Sequence, residues 1–219
     1  MIFVNYKTYE ESSGERAITL TKILEEVAHE SQVKIIPVVQ TIDAEMVFAS
    51  TTLEVWIQHI DPVSFGAHTG WTLPEEAARI GISGVFLNHS EHKFTDFEAL
   101  RTANEKALSA NLKTLIFAGT LDELKNIVAL KPTYVAYEPP ELVGSTTNSV
   151  ARAQPEIISQ AAEIARSGGE PLVVGAGVSS MEDIKKSVEL GAVGVAIATA
   201  VVKAPDPKVK LLELVEGFK

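Results

Sequence analysis

The sequence predicts an α/β fold, a single (β/α)8 barrel of eight parallel strands that takes in residues 1–219 as one domain. Three observations carry that expectation. Short β-rich apolar runs recur, and each is followed by an amphipathic stretch. The runs are near-continuously apolar, as strands of a parallel sheet covered on both faces are. No break in composition and no linker divides the βα units from one another.

The first run is Ile2–Asn5, and a helix is expected from near Ser12, where RAITLTKILEEVAHE carries apolar residues at helical spacing. Lys34–Val39 leads to a helix from near Ile42. Leu53–Ile57 leads across a long loop to one from near Leu73. That helix reads TLPEEAARIG, with Pro74 and acids in its first turn and Gly81 as its stop. Gly84–Leu87 precedes a helix from near Thr95, and Lys113–Ala118 precedes one from near Leu121. Tyr134–Tyr137 is followed by QPEIISQAAEIARSG, helical from near Gln154. Pro171–Gly175 and Gly194–Ala198 precede helices from near Met181 and Pro207. The rival fold is an open doubly wound sheet. It usually shows a Gly-rich turn after the first strand, and VNYKTY has none.

Composition narrows the function. The chain is 46% hydrophobic and 22% charged, which is ordinary for a globular protein. A net charge of −10 argues against a nucleic-acid surface. It also repels any anionic substrate, so a site for one needs local positive potential from a lysine or from helix N-termini. With no cysteine there is neither a disulfide framework nor a thiolate metal site. No basic leader opens the chain, and no apolar stretch reaches the ~20 residues of a membrane span, so the expected location is cytoplasmic, with no membrane partner.

In a barrel, function sits where strands end. Strand one ends VNYK, and Asn5 and Lys7, two apart, point to the same side of an extended segment. Such a lysine suits a phosphate or a developing oxyanion; the plainer alternative is a solvated surface lysine. Tyr6, between them, is grouped with them as substrate-contacting. Strand four ends FLNHSEHK. Ser90 there can cap a short helical turn, which places His89 beside a helix N-terminus and favours a neutral imidazole able to polarise a carbonyl. The alternative is a structural histidine satisfied by the backbone. His29, His59, His68 and His92 lack that position, and no His/Asp/Glu spacing resembles a metal site. Strand six ends at Glu138. Strands seven and eight end VVGAGVSS and VAIATAVV, small-residue turns whose N–H groups can surround a phosphate. After Glu138, Pro139 and Pro140 stiffen the chain, Leu142 and Val143 are apolar, and Gly144-Ser145-Thr146 loosens it. That pattern suits a lid moving as one piece, against the alternative of an ordinary loop. A base, a neutral electrophile, a cation and an anion cradle at one end of one barrel fit proton abstraction beside a carbonyl in a small phosphorylated compound.

The motifs VNYKTY, LNHSEHK, AYEPPELVGS, VVGAGVSS and GVAIATAVVKAPDP, in that order from Asn5 to about Pro207, resemble the triosephosphate isomerase family in its short archaeal form. That family joins a Glu base, a neutral His and a closing loop on one barrel, and the roles that follow are borrowed from the resemblance. It implies interconversion of dihydroxyacetone phosphate and glyceraldehyde 3-phosphate, with no metal or organic cofactor. Glu138 matches the base, His89 the electrophile, Lys7 the substrate-binding cation and Asn5 its partner. Glu91 matches the carboxylate that holds the lysine, with Ser90 beside it. Val143 and Gly144 match the lid tip, and Gly177, Ala198 and Thr199 the remaining phosphate donors. Thr69, in GAHTGW, matches a threonine that reaches a neighbouring subunit's site, implying a homo-oligomer, dimer or tetramer. The chain departs from the family in Gly144-Ser145-Thr146, where a second lid glycine is common, in Thr199-Ala200, where glycine is common, and at Phe117, where cysteine is common. The competing readings are a catalytically silent phosphate-binding barrel or interaction protein, and a lyase or synthase on the same fold. The joint presence of Lys7, His89 and Glu138 weighs against the first, and the lack of a second inward lysine against the other.

Overall fold

The computed structural model describes residues 1–139 and 155–219. Strands β1 (Ile2–Asn5), β2 (Ile35–Val39), β3 (Trp56–Ile57), β4 (Gly84–Leu87), β5 (Lys113–Ala118), β6 (Tyr134–Tyr137), β7 (Leu172–Val174) and β8 (Gly194–Ile197) close into a barrel in chain order. The open sheet is ruled out because the first strand pairs with the last as well as with the second, which leaves no edge strand: Ile2 pairs with Ile35 and with Val195. The strands fall where the apolar runs predict. β3 is shorter than Leu53–Ile57, joining the ladder only from Val38↔Trp56 onward, one residue after Pro37, which has no N–H to donate.

The helices are α1 (Glu15–Ser31), α2 (Ala44–Ser50), α3 (Pro74–Arg79), α4 (Phe97–Ser109), α5 (Leu121–Val128), α6 (Pro155–Gly168), α7 (Met181–Glu189), α8 (Thr199–Val202) and α9 (Pro207–Val215). Four details differ from expectation. Ser12 does not open α1; it sits in a 3-10 turn and its hydroxyl donates to the Tyr6 carbonyl at 2.6 Å. Thr41–Asp43 likewise forms a 3-10 turn ahead of α2. α4 begins at Phe97 because Asp96 is its cap, accepting from the Ala99 N–H at 2.8 Å. α8, one short turn, has no counterpart among the expected helices. Gly81 ends α3 as expected, in a left-handed conformation with φ 93°.

Side-chain alternation divides the core into two layers. One face of each strand points out to the helices, as Ile2, Val4, Val85 and Leu87 do. The other points into the barrel, where Phe3, Trp56, Phe86, Leu115, Phe117, Ala136, Val173 and Ala196 pack together. The aromatics meet edge-on: Phe3 and Trp56 with centroids 5.0 Å apart at 65°, Phe86 and Phe117 at 4.8 Å and 66°. Such pairs contribute roughly 0.5–1.5 kcal/mol each beyond their area burial. Trp56 fits because β4 offers no side chain opposite it: a Cβ on Gly84 would lie 2.3 Å from Trp56 Cε2. Among the described residues no helix is long and apolar enough to cross a membrane.

Gly84→Ala is therefore expected to destabilise the barrel by about 1–3 kcal/mol through overpacking. The urea-unfolding midpoint checks this; an unchanged midpoint would mean that Trp56 has room to move aside.

Candidate active site

The site continues the barrel's inward rows past the strand ends. On β1 the row Phe3–Asn5 emerges at the mouth, and on β3, Trp56 is followed on the same face by Gln58. On β6, Ala136 is followed by Glu138, and on β8, Ala196 by Ala198. Asn5, Lys7, His89, Glu138, Gly177, Ala198 and Thr199 line one cavity of about 470 Å³. Neither Ser90, Glu91 nor Gln58 lines it; each acts on a residue that does.

Asn5, nearly buried, accepts the Lys7 N–H on Oδ1 at 3.0 Å. Lys7 adopts φ 49°, uncommon for a residue with a side chain, and its Nζ donates to Glu91 Oε1 at 2.7 Å. Gln58 secures that turn, donating to the Lys7 carbonyl at 2.9 Å and lying 3.3 Å from Asn5 Oδ1. His89 is set by its predecessor. Asn88 takes φ 59°, which breaks the alternation and lets His89 enter the cavity. The Asn88 amide donates to the Phe117 carbonyl at 3.0 Å and to Glu123 Oε1 at 2.8 Å. Burial opposes the charge on Glu123, but Lys93, the Gly119 N–H and Asn88 outweigh it and hold its carboxyl below the usual range. Asn88 is thus tied to a charged anchor.

The expected helical turn at Ser90 is absent. Residues 89–92 form a tight turn closed by the His92 N–H on the His89 carbonyl at 2.8 Å, and α4 starts later. The ring is oriented instead by the Glu91 N–H, which donates to His89 Nδ1 at 3.1 Å. An accepting Nδ1 carries no proton, so the ring proton belongs on Nε2. Nε2 faces Glu138 Oε2 at 3.3 Å. Ser90 Oγ donates to the same oxygen at 3.1 Å, and Glu138 is 7% exposed. A Cβ on Gly175 would lie 2.9 Å from Glu138 Oε1, so a small residue there leaves the carboxylate its place.

Ala176 and Gly177 both have positive φ, 66° and 69°, turning the chain back on itself beside the cavity. Thr199 and Ala200 open α8, and the first N–H groups of a helix have no partner within it. Among the described residues no three His, Cys, Asp or Glu side chains cluster so as to hold a metal ion.

One expected substrate-contacting residue is placed elsewhere. Tyr6 is fully buried on the outward face, sharing a 2.7 Å hydrogen bond with Thr21 of α1, and burial pushes its hydroxyl well above the usual range. The same alternation that brings Asn5 inward carries Tyr6 out. Thr69, expected to reach a neighbouring subunit's site and not this one, lies exposed in the β3–α3 loop and lines neither this cavity nor the one beside it. Pro140 and the expected lid, with Val143 and Gly144, fall outside the described residues. Gln58 is not among the expected residues, although its place at the end of β3 marks it under the same rule as Asn5.

The neighbouring cavity holds a pair of histidines. His59 and His92 stack with centroids 3.9 Å apart, against Phe94 at 5.1 Å from His59. Burial and the adjacent His92 lower the pKa of His59, opposed by Asp61.

Two expectations follow. Ring ¹⁵N spectra at neutral pH should show His89 with Nδ1 bare and Nε2 protonated; the opposite tautomer would contradict the geometry. For His59 the folded value is depressed, so the unfolded chain binds the proton more readily. Its stabilisation is full above the ordinary value of about 6.5 and lost as pH falls below it. His59→Gln should therefore narrow the loss of Tm between about pH 7.5 and about pH 5.5. An equal loss in both proteins would remove His59 as its source.

The family model described as triosephosphate isomerase matches residues 1–217. The chain is 36% identical to the triosephosphate isomerase of Methanocaldococcus jannaschii over 99% of each chain. It is 39% identical to that of Metallosphaera sedula, over 99% of this chain and 95% of the relative. Against that of Methanothermus fervidus it is also 39% identical, over 98% and 97%. With the closed parallel barrel and the residues gathered at its mouth already in place, these matches show that the chain belongs to the triosephosphate isomerase family.

Proposed function

We propose that this enzyme interconverts dihydroxyacetone phosphate and glyceraldehyde 3-phosphate at the mouth of the barrel, with Glu138 as base, His89 as electrophile, and Lys7 and Asn5 on the substrate oxygens. The observation that carries these assignments is the 3.3 Å approach of His89 Nε2 to Glu138 Oε2 in a cavity that Lys7 also lines. A base and a hydrogen-bond donor so placed can address one carbon and the oxygen beside it.

In this reading Glu138 takes a proton from C1 of dihydroxyacetone phosphate. The C–H electrons form the C1–C2 double bond, and charge develops on the C2 oxygen. His89 Nε2–H and Lys7 stabilise that oxygen. The hydroxyl proton on O1 is passed to O2, and Glu138 returns its proton to C2 as the C1 carbonyl forms. C1 is oxidised and C2 reduced within one molecule, so the atoms and electrons balance with no external redox partner. The Ser90 hydroxyl holds Glu138 until substrate displaces it, and Glu91 holds Lys7 in its strained turn. The N–H groups around Gly177 and at Ala198, Thr199 and Ala200 suit a phosphate. Val143 and Gly144 complete the cradle as a lid, and phosphate-driven closure supplies binding energy to the chemistry.

The finer context belongs to the same reading. Phe65 is 71% exposed and Trp71 54% exposed on the long β3–α3 loop that carries Thr69. A second copy of the chain covering that loop accounts for them, as dimer or tetramer. A doubly charged triose phosphate does not cross a bilayer, so the enzyme is placed with its substrate in the cytoplasm.

Glu138→Gln keeps the shape and removes the base. It should cost on the order of 10²–10⁴-fold in kcat with little change in the binding of a substrate analogue. A coupled assay with glyceraldehyde 3-phosphate reads the rate; near-normal turnover would mean another group is the base. Glyceraldehyde lacking the phosphate should lose kcat as well as KM. A loss confined to KM would separate phosphate binding from the chemistry.

A further inference from the structure

Lys7, Lys203 and Lys210 all line the cavity, and they differ in how their charge is answered. Lys7 donates to Glu91 at 2.7 Å and Lys210 to Glu213 at 2.8 Å. Lys203 lies 4.0 Å from Glu11 Oε1, the loosest of the three, with both side chains about half exposed. What fixes the ammonium is a neutral partner: Nζ stands 4.4 Å from the centroid of the Tyr9 ring. A cation over an aromatic face is held in place without being neutralised. The Tyr9 hydroxyl in turn shares a 3.1 Å hydrogen bond with Thr199 Oγ1. Thr199 stands at the start of α8, in the turn read above as part of the phosphate cradle.

We infer that Lys203 is a phosphate-recognition residue, supplying the least neutralised of the lysine charges that line the cavity among the described residues, and that Tyr9 is the positioning residue that joins it to the Thr199 turn. The inference rests on the reading of the site given above and goes beyond its backbone cradle. A chain of net charge −10 repels a dianion at long range, so a cation answered only loosely by a carboxylate has a large relative effect at the mouth. Tyr9 also ties the loop carrying Lys7 to the loop carrying Thr199. With Tyr9 donating, the Thr199 hydroxyl is left to donate to a phosphate oxygen. The residue that departs from the family's glycine is then a working part of the cradle.

The test uses inorganic phosphate as the probe, with binding read by titration calorimetry and by competitive inhibition, on the wild-type enzyme and on Lys203→Gln, Lys203→Arg and Tyr9→Phe. Lys203→Gln should weaken phosphate binding and raise KM for glyceraldehyde 3-phosphate by the same factor, on the order of 3–10-fold, as suits a half-exposed charge acting on a dianion. Added salt should shrink the difference. Lys203→Arg should restore both, and kcat/KM for glyceraldehyde should not change in either Lys203 variant. Tyr9→Phe keeps the ring under the ammonium and loses the link to Thr199, so it should weaken phosphate binding by a smaller factor. Equal phosphate binding in wild type and Lys203→Gln would overturn the inference. So would an equal loss on glyceraldehyde, which marks a structural role. Unchanged binding in Tyr9→Phe would overturn the part assigned to Tyr9. An active wild-type isomerase indifferent to Lys203 defeats this inference alone. Phosphate binding that depends on Lys203 without isomerase activity defeats the functional reading alone.

Discussion

The inside of a closed eight-stranded barrel is filled by side chains, and here that filling is aromatic. Phe3 meets Trp56, Trp56 meets Phe86 and Phe86 meets Phe117 edge to face across it. Everything at the mouth depends on this plug. Strand alternation is rigid, so the residue two places beyond each plug residue points along the same row. On β1, β3 and β6 it emerges as a polar group on a firm floor. Asn5, Gln58 and Glu138 stand there because Phe3, Trp56 and Ala136 stand below them. Gly84 belongs to the same constraint, since the space that it leaves is taken by the Trp56 ring.

Onto that regular frame the chain adds a few backbone departures, and three of the non-glycine ones stand at the mouth. Lys7, Asn88 and Ala176 take positive φ without being glycine. Each costs energy of order 1–3 kcal/mol and persists where its surroundings over-determine it. Gln58 grips the Lys7 turn through its carbonyl, while Asn88 is held by the Phe117 carbonyl and by Glu123. These turns re-aim side chains that the strand alone would send elsewhere. His89 reaches the cavity because Asn88 breaks the row; its ring faces Glu138 because the Glu91 N–H occupies Nδ1.

Among the described residues, each lysine at the mouth is answered by a carboxylate, Lys203 the most loosely. Glu91 answers Lys7, Glu213 answers Lys210, and Lys203 rests on the neutral Tyr9 ring. In a strongly acidic protein such local arrangement matters more than the total, because a low-dielectric cleft focuses the field of nearby charges. The proposed base and the proposed phosphate cradle come from different strands. Contacts such as Tyr9 to Thr199 and Ser90 to Glu138 are what keep those strands' loops in one geometry.

By itself the sequence determined the eight strands and their parallel closure, because apolar runs and intervening helical periods are local patterns. It also determined which acid, histidine and lysine end strands, and its motif order pointed to the family. The period-two rule that paired Asn5 with Lys7 also contains Gln58 and the outward place of Tyr6. Grouping Tyr6 with its neighbours set that rule aside. The tertiary structure alone decided the rest. That His89 is oriented by the Glu91 N–H instead of a helix end follows from the left-handed Asn88, which is anchored by Glu123 thirty-five residues along the chain. That Lys203 stands over Tyr9, whose hydroxyl meets Thr199, 190 residues away, follows from β8 closing against β1. Sequence patterns report on neighbours along the chain, whereas these contacts exist only once the barrel has brought its first and last strands together.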